Sequence, residues 1–328
     1  MTSWRQDTRT VNLHIHHPFI SGSLAQPYCR RRGIPVVFTN HTRYDLYAQA
    51  YLPGMPEVVG ERALTTYLPA FCRSCDLVIS PSAGMREVMV RYGVDVPIEV
   101  VPNGVDLQPF RQPIQPINRS EFGYGPDDVI LVYAGRLGPE KNLPFLLRSF
   151  AGTAQAYDHV ALFLVGDGPE RDNLQDRVRH MGLTKRVHFT GMLPYTDVPG
   201  YLVMADAFVT ASVTEVHPLS VIEAMATGLP VLGIKSPGIG DTIQDGKTGF
   251  LVQEEDLASF TAKMVRMVVD HDERRKMGVA ARQASETYAI ENTVETMLEH
   301  YRRVTAGAGG RKRNPRARLT RWLDGFSR

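Results

Sequence analysis

Glu215 and Glu223 stand eight positions apart in residues 211–230, ASVTEVHPLSVIEAMATGLP. The apolar run 207–210 predicts a strand just before them, which leaves Glu215 in the loop that follows. Glu223 falls inside a helix opening near Pro218, because proline is tolerated in a first helical turn. A helix start presents unpaired backbone N–H groups and the positive end of the helix dipole, which suits phosphate or a polarised hydroxyl. One carboxylate before that start and another about a turn inside it can accept hydrogen bonds from two sets of sugar hydroxyls. The pattern suits a ligand both anionic and polyhydroxylated, as a sugar nucleotide is. Val221, Ile222, Ala224 and Met225 around Glu223 predict burial, and a buried carboxylate needs partners.

Arg136 and Lys141 follow the apolar run ILVYAG (130–135) and straddle the turn before a helix. A nucleoside diphosphate gathers negative charge as its bond to a sugar breaks, and either a metal ion or fixed cations must stabilise it. No D-x-D or paired-carboxylate cluster suited to Mg²⁺ or Mn²⁺ stands nearby, so no metal and no other cofactor is expected. Fixed cations take the role: Arg136 forks two phosphate oxygens while Lys141 supplies a point charge.

The elements that must position these residues alternate between strand-like and helical patterns, the signature of stacked βαβ units and parallel sheets. In the first part, strands are expected near 11–16, 35–39, 77–80 and 98–101. Residues 107–126 hold four prolines and few periodic apolar positions and read as a linker. The pattern then restarts with strands at 129–134, 160–165, 187–190, 207–210, 230–233 and 250–252. Helices are expected at 143–156, 169–181 and 218–227, and across 256–304. Such a doubly wound unit binds its ligand at the carboxyl ends of its strands.

Three more segments fall in order with the two carboxylates: VVFTNHTRYDLYAQAYLP (36–53), VPNGVDLQPF (101–110) and LVYAGRLGPEKN (131–142). With the E-x7-E spacing they resemble the retaining glycosyltransferases of family 4, over residues from about 11 to about 304. HHPF (16–19) and HTRY (41–44) are most similar to members that glycosylate lipids, such as diacylglycerol glucosyltransferases. The resemblance implies an α/β fold of the GT-B type, with two Rossmann-like doubly wound domains facing across a cleft. It also implies a hexose moved from a nucleotide-diphosphate sugar to a hydroxyl acceptor such as diacylglycerol. Arg136 and Lys141 would hold the diphosphate and Glu223 the ribose. Glu215, with the backbone from His217 through Leu219 and Ser220, would hold the transferred sugar and the distal phosphate. His41 would meet the donor sugar near its reacting carbon.

The implied division is an acceptor-side domain over 1–106, the linker 107–126, a nucleotide-sugar domain over 127–288, a helix over 289–305 crossing back to the first domain, and a tail over 306–328. Two departures stand out. Family members open with a strand, a glycine-rich loop and a helix, which nothing before Val11 supplies, so the first domain is expected to be incomplete. Many relatives also carry Phe-Gly where this chain has His217-Pro218.

Net charge is only +2, but residues 306–328 carry seven Lys and Arg against Asp324, so the rest of the chain is net negative. Leu319, Trp322, Leu323 and Phe326 recur at helical spacing among those charges, which fits an anionic membrane surface better than a nucleic-acid groove. With no run approaching the ~18 apolar residues of a membrane span, the expectation is a cytoplasmic protein held at the inner face of the membrane. Cys29, Cys72 and Cys75 are too few for a disulfide framework, and Cys72-x-x-Cys75 lacks the second pair a zinc site would need. His14, His16 and His17 resemble a metal cluster by count, but strand alternation sends His16 and His17 to opposite faces. Gly166-Asp167-Gly168 lacks the third glycine of a dinucleotide fingerprint and reads as a tight turn, as does the flexible-looking 237–240. A nucleotide-sugar epimerase or hydrolase, and a sugar-nucleotide binder without transfer, are the alternative functions.

Overall fold

The computed structural model of the chain describes residues 12–46, 57–113 and 115–310. The basic segment from 311 onward, the first eleven residues and the end of the 36–53 segment lie outside the described residues.

Two parallel sheets build the molecule. In the first, β1 (Leu13–Ile15), β2 (Val36–Thr39), β3 (Leu77–Ser80) and β4 (Ile98–Val100) lie side by side in chain order. Unbroken apolar runs such as VVFT and LVIS suit strands covered on both faces, and every residue of β2 and β3 is buried. Helices Ser23–Arg32, Glu57–Arg73 and Ala83–Arg91 flank this sheet, around a core that includes Ile15, Phe38, Leu68, Phe71 and Met89.

The second sheet contains β5 (Val129–Ala134), β6 (Val160–Val165), β7 (Val187–Gly191), β8 (Ala207–Thr210), β9 (Val231–Ile234) and β10 (Gly249–Val252), in the order β10-β9-β8-β5-β6-β7. Winding runs outward from β5 to β7, then returns to β8 on the other side of β5. That reversal opens a crevice at the carboxyl ends of β5 and β8, the usual ligand position in such sheets. Helices Leu143–Ala156 and Leu257–Val269 pack on one face; Val198–Met204 and Leu219–Thr227 pack on the other.

Helix Ile290–Gly310 lays Met297, Tyr301 and Val304 on Val37, Leu77 and Ile79 of the first sheet and on Val101 just past β4. The domains also meet where Gly84 N donates to Asp241 Oδ2 at 2.7 Å. A Cβ on Gly84 would fall 2.7 Å from the Pro237 carbonyl oxygen, so only glycine permits this approach.

Two expectations need correction, and one helix was not foreseen. The 107–126 segment is no loose linker: Phe110 is fully buried beneath the helical turn Gln108–Arg111, and Arg119 donates to the Met204 carbonyl and to Asp206. Residues 237–240 are not a flexible turn but open the helix Pro237–Thr242, with proline in its first turn. Helix Val198–Met204 was hidden by its shortness and its internal Pro199-Gly200.

Candidate functional site

The loop leaving β5 is fixed by backbone contacts. Leu137 N donates to the Asp167 carbonyl and Glu170 N to the Leu137 carbonyl, each at 2.9 Å. Cβ atoms on Gly166 and Gly168 would sit 2.2 Å from Gly135 O and 2.5 Å from Leu137 O. The Gly166-Asp167-Gly168 turn is therefore glycine-rich for close packing against the loop that carries Arg136 and Lys141. The Arg136 side chain is exposed at the sheet edge, and its carbonyl accepts from the Tyr133 hydroxyl at 2.9 Å. A 3₁₀ turn, Pro139–Lys141, then carries Lys141 to the start of the next helix.

Glu215 follows β8, the strand paired with β5, so the two loops are neighbours. Lys141 Nζ lies 2.6 Å from Glu215 Oε1, and Ser212 Oγ donates to the same oxygen at 2.9 Å. Both charged side chains are mostly buried, at 16% and 22% exposure, which strengthens their attraction over a surface pair. The Glu215 carbonyl accepts from Gly238 N at 3.1 Å, while Val216 packs into the hydrophobic core of the first domain. The carboxylate thus stands where the two domains meet.

Helix Leu219–Thr227 begins after Pro218, with no side chain capping its first N–H groups. Leu219 is exposed and Ser220 half-buried at that start. Glu223 is only 7% exposed and accepts from the Tyr195 hydroxyl at 2.7 Å. Burial raises the Glu223 carboxyl above its ordinary pKa, and the tyrosine hydrogen bond opposes part of that rise. His217 is also buried and packs edge-on against Tyr288 at 5.1 Å, but its Nδ1 has no hydrogen-bond partner. Burial pushes its imidazole down to about 4.

His41 stands just past β2 in the first domain, its Nε2 2.9 Å from His16 Nδ1. Next to this pair, His14 bridges Thr39 Oγ1 at 2.7 Å and the Tyr301 hydroxyl of the C-terminal helix at 2.6 Å. The His14 and His16 rings lie 4.1 Å apart. Burial first, then the neighbouring imidazoles, pushes His14 down to about 4. Crowding by surrounding protein and by His16 pushes His41 to about 4, although that residue reaches solvent. His17 turns away to meet the rings of Phe19 and Tyr44. Among the described residues no group of three or more His, Cys, Asp or Glu is arranged to hold a metal ion. The cysteines are unbridged, and burial pushes the Cys75 thiol up to about 12.

Lys141 and Glu215 are thus brought into contact, with Arg136 on the same loop and His217, Leu219, Ser220 and Glu223 following Glu215. His41 belongs to the other domain. Three participants escaped the sequence reading. Tyr195 lies in a short 3₁₀ turn, Tyr195–Asp197, that carries no motif. Ser212 is an ordinary loop serine. His16 draws notice by sequence only through the histidine count, and its i, i+2 spacing from His14 is the signal that the two share a face.

The sequence model for "Glycosyl transferases group 1" matches residues 115–284, just over half of the chain. The chain belongs to this family. A second model, "Glycosyltransferase Family 4", matches residues 7–109. The chain is 31% identical over 252 residues to an alpha-monoglucosyldiacylglycerol synthase of Streptococcus pneumoniae, covering 75% of this chain and 57% of that protein. A synthase of the same name from Acholeplasma laidlawii is 25% identical over 260 residues, covering 75% of this chain and 64% of that one. The group 1 chain therefore spans less than two thirds of either relative. Its fold matches the sucrose-phosphate synthase of Thermosynechococcus elongatus with a TM-score of 0.78 at 23% identity, over 90% of this chain and 73% of that one. Two parallel α/β domains of the GT-B type are common to both. Among the described residues no helix is long and apolar enough to cross a membrane.

Proposed function

We propose that the chain transfers a hexose from a nucleotide-diphosphate sugar to a lipid hydroxyl, with retention of the anomeric configuration. The observation that carries this reading is the Lys141–Glu215 contact at the crevice between β5 and β8. A cation able to meet a diphosphate and a carboxylate able to meet sugar hydroxyls are held in register there, with Glu223 about one turn inside the helix Leu219–Thr227 that follows. The diphosphate takes Lys141 from Glu215 and gains Arg136, which frees Glu215 for the sugar. Glu223 takes the ribose hydroxyls and gives up Tyr195. These cations supply the charge stabilisation for the leaving group without a resident metal.

The acceptor oxygen bonds to the anomeric carbon as the carbon–phosphate oxygen bond breaks on the same face. The proton of the acceptor hydroxyl passes to the departing diphosphate. The protein contributes position and charge rather than a nucleophile, and His41 borders the sugar from the opposite domain. A lipid acceptor such as diacylglycerol is supported by what the two bacterial relatives are named for. Such an acceptor places the chain peripherally at the inner face of the membrane.

The test is incubation with UDP-glucose or GDP-mannose, with and without diacylglycerol vesicles, followed by NMR assignment of the product linkage. An α-linked glycolipid is expected. A β-linked product refutes retention, and donor binding without any product supports the non-transferring alternative.

A further inference from the structure

Three features of the first domain fall side by side. Helical backbone running from Pro18 to Arg32 turns Gly22, Gln26 and Cys29 inward, with Gln26 Nε2 donating to the Phe71 carbonyl of helix Glu57–Arg73. Its outward positions, four apart, are Ile20 (74% exposed), Leu24 (73%) and Tyr28 (49%). Arg30, Arg31 and Arg32 follow, all exposed, with the Arg32 guanidinium 5.1 Å from the Tyr28 ring centre, and no acidic residue lies on this helix. Beside it, one stripe of helix Glu57–Arg73 lines an open groove of about 660 Å³: Val58, Arg62, Ala63, Thr66, Tyr67 and Ala70. A file of rings leads from the groove to His17: Tyr67 stacks on Phe19 at 5.1 Å, Phe19 meets Tyr44 at 5.1 Å, and Tyr44 meets His17 at 5.9 Å.

Exposed isoleucine and leucine are costly in water, and a row of them edged by arginines complements an apolar layer under an anionic surface. A nucleic-acid face would use the arginines and the tyrosine but would gain nothing from Ile20 and Leu24. We propose that this face seats the chain on an anionic bilayer. The groove receives an acyl chain of the acceptor, and the ring file carries the acceptor's head on to His17. The inference rests on the lipid-acceptor reading above for its acyl arm. Its surface arm stands on exposure and charge alone, and it moves the membrane contact from the C-terminal tail to the first domain.

The full chain is floated with phosphatidylglycerol–phosphatidylcholine vesicles containing neither donor nor diacylglycerol, so that binding is read apart from transfer. The double variant Ile20→Glu/Leu24→Glu is expected to lose at least tenfold in partition. Arg30→Gln/Arg31→Gln is expected to lose roughly fivefold per charge, the usual effect of a basic residue near an anionic surface. Val279→Glu, at a 67% exposed position of the second domain, is the control and keeps parental partition. Thermal melts and UDP and GDP titrations check that each variant retains its fold and its nucleotide site. Leu24→Trp should shift its emission to the blue on vesicles and be quenched by brominated lipid. For the groove, Ala63→Trp should raise KM for dioleoylglycerol severalfold with kcat unchanged.

Partition of Ile20→Glu/Leu24→Glu within twofold of the parent overturns the surface, as does complete loss of binding on deleting 311–328 alone. An unchanged KM in Ala63→Trp overturns the groove. Vesicle binding that depends on Ile20 and Leu24 in a chain without transfer activity refutes the proposed function and leaves the surface standing.

Discussion

Both sheets repeat one unit, a parallel strand followed by a helix, yet they bring different chemistry to their carboxyl edges. The second sheet reverses its winding at β5, so the loops after β5 and β8 diverge to opposite faces and leave a crevice between them. Lys141 and Glu215 meet there as an oppositely charged, largely buried pair. The first sheet steps in one direction from β1 to β4, with no such reversal among the described residues. Its edge carries the His16 and His41 imidazoles, both pushed below their ordinary value by burial, and the partly exposed rings of Phe19, Tyr44 and Tyr67. A crevice concentrates charge, whereas a one-way edge spreads out a surface. The first arrangement suits a compact anionic donor, and the second an acceptor too large to enclose.

The sharpest way to break this contrast is Lys141→Ala. If the cation works at the crevice on the leaving diphosphate, transfer should fall by about 10²–10³, the usual loss when one preorganised charge at the developing anion is removed. Arg136→Ala should fall in the same range, and both variants should lose the thermal shift produced by the nucleotide donor. Full nucleotide affinity in the Arg136→Ala/Lys141→Ala double variant, measured by calorimetry, would sink the assignment.

Glu223→Ala comes next. A charged hydrogen bond is worth about 1.5–3 kcal/mol, so donor affinity should weaken roughly tenfold to a hundredfold. Tyr195→Phe separates structure from binding, because the Tyr195 hydroxyl occupies the carboxylate proposed to take the ribose. That variant should bind donor no more weakly than the parent, and a tenfold loss would mean that the phenol itself touches the ligand.

This asymmetry also governs how much could be read before the fold was known. Strands β5, β6 and β8 and helix Leu143–Ala156 announce themselves because their apolar runs are long, unbroken and bounded by turn residues. That Lys141 and Glu215 fall near each other was legible because each follows an apolar strand of one parallel sheet, whose carboxyl ends share an edge. What stayed hidden depends on neighbours far away in the chain. Tyr195 reaches Glu223 across 28 positions, and His14 meets Tyr301 across 287. Neither pairing leaves a periodic trace. The 107–126 segment misled for a related reason: prolines signal irregular backbone, but Phe110 inside it is an anchor buried in a core built mostly by the second domain.

A smaller effect is expected at the first-domain edge. His41→Ala should lower kcat while leaving nucleotide affinity within about twofold, since nothing but the sugar is assigned to it. The parent pH–rate profile tests the neutral stack directly. With His14 and His41 pushed down to about 4, neither imidazole takes up a proton between pH 5.5 and 7.5. Transfer should therefore show no inflection near 6.5 that disappears in His41→Ala. Such an inflection would mean that His41 titrates as an ordinary exposed histidine and that the stack is not its working environment.

The smallest effect concerns His217, the crevice's counterpart to those first-domain histidines. Its Nδ1 is buried without a partner, and leaving such a group unmet costs about 1–3 kcal/mol. Phenylalanine fills similar space without the polar atom, so His217→Phe should stabilise the fold by about 1 kcal/mol at pH 7.5, read by denaturant unfolding. The pH dependence sharpens this. His217 ionises at about 4 when folded, against 6.5 as an ordinary imidazole. As pH falls from 6.5 towards 4 the unfolded chain takes up the proton first, and stability drops. His217→Phe removes that uptake, so its advantage over the parent should widen between pH 6.5 and 4. A variant less stable than the parent at pH 7.5 would show that the ring's polar atom is satisfied in the folded protein, and a gap that stays constant with pH would show that its ionisation is not coupled to folding.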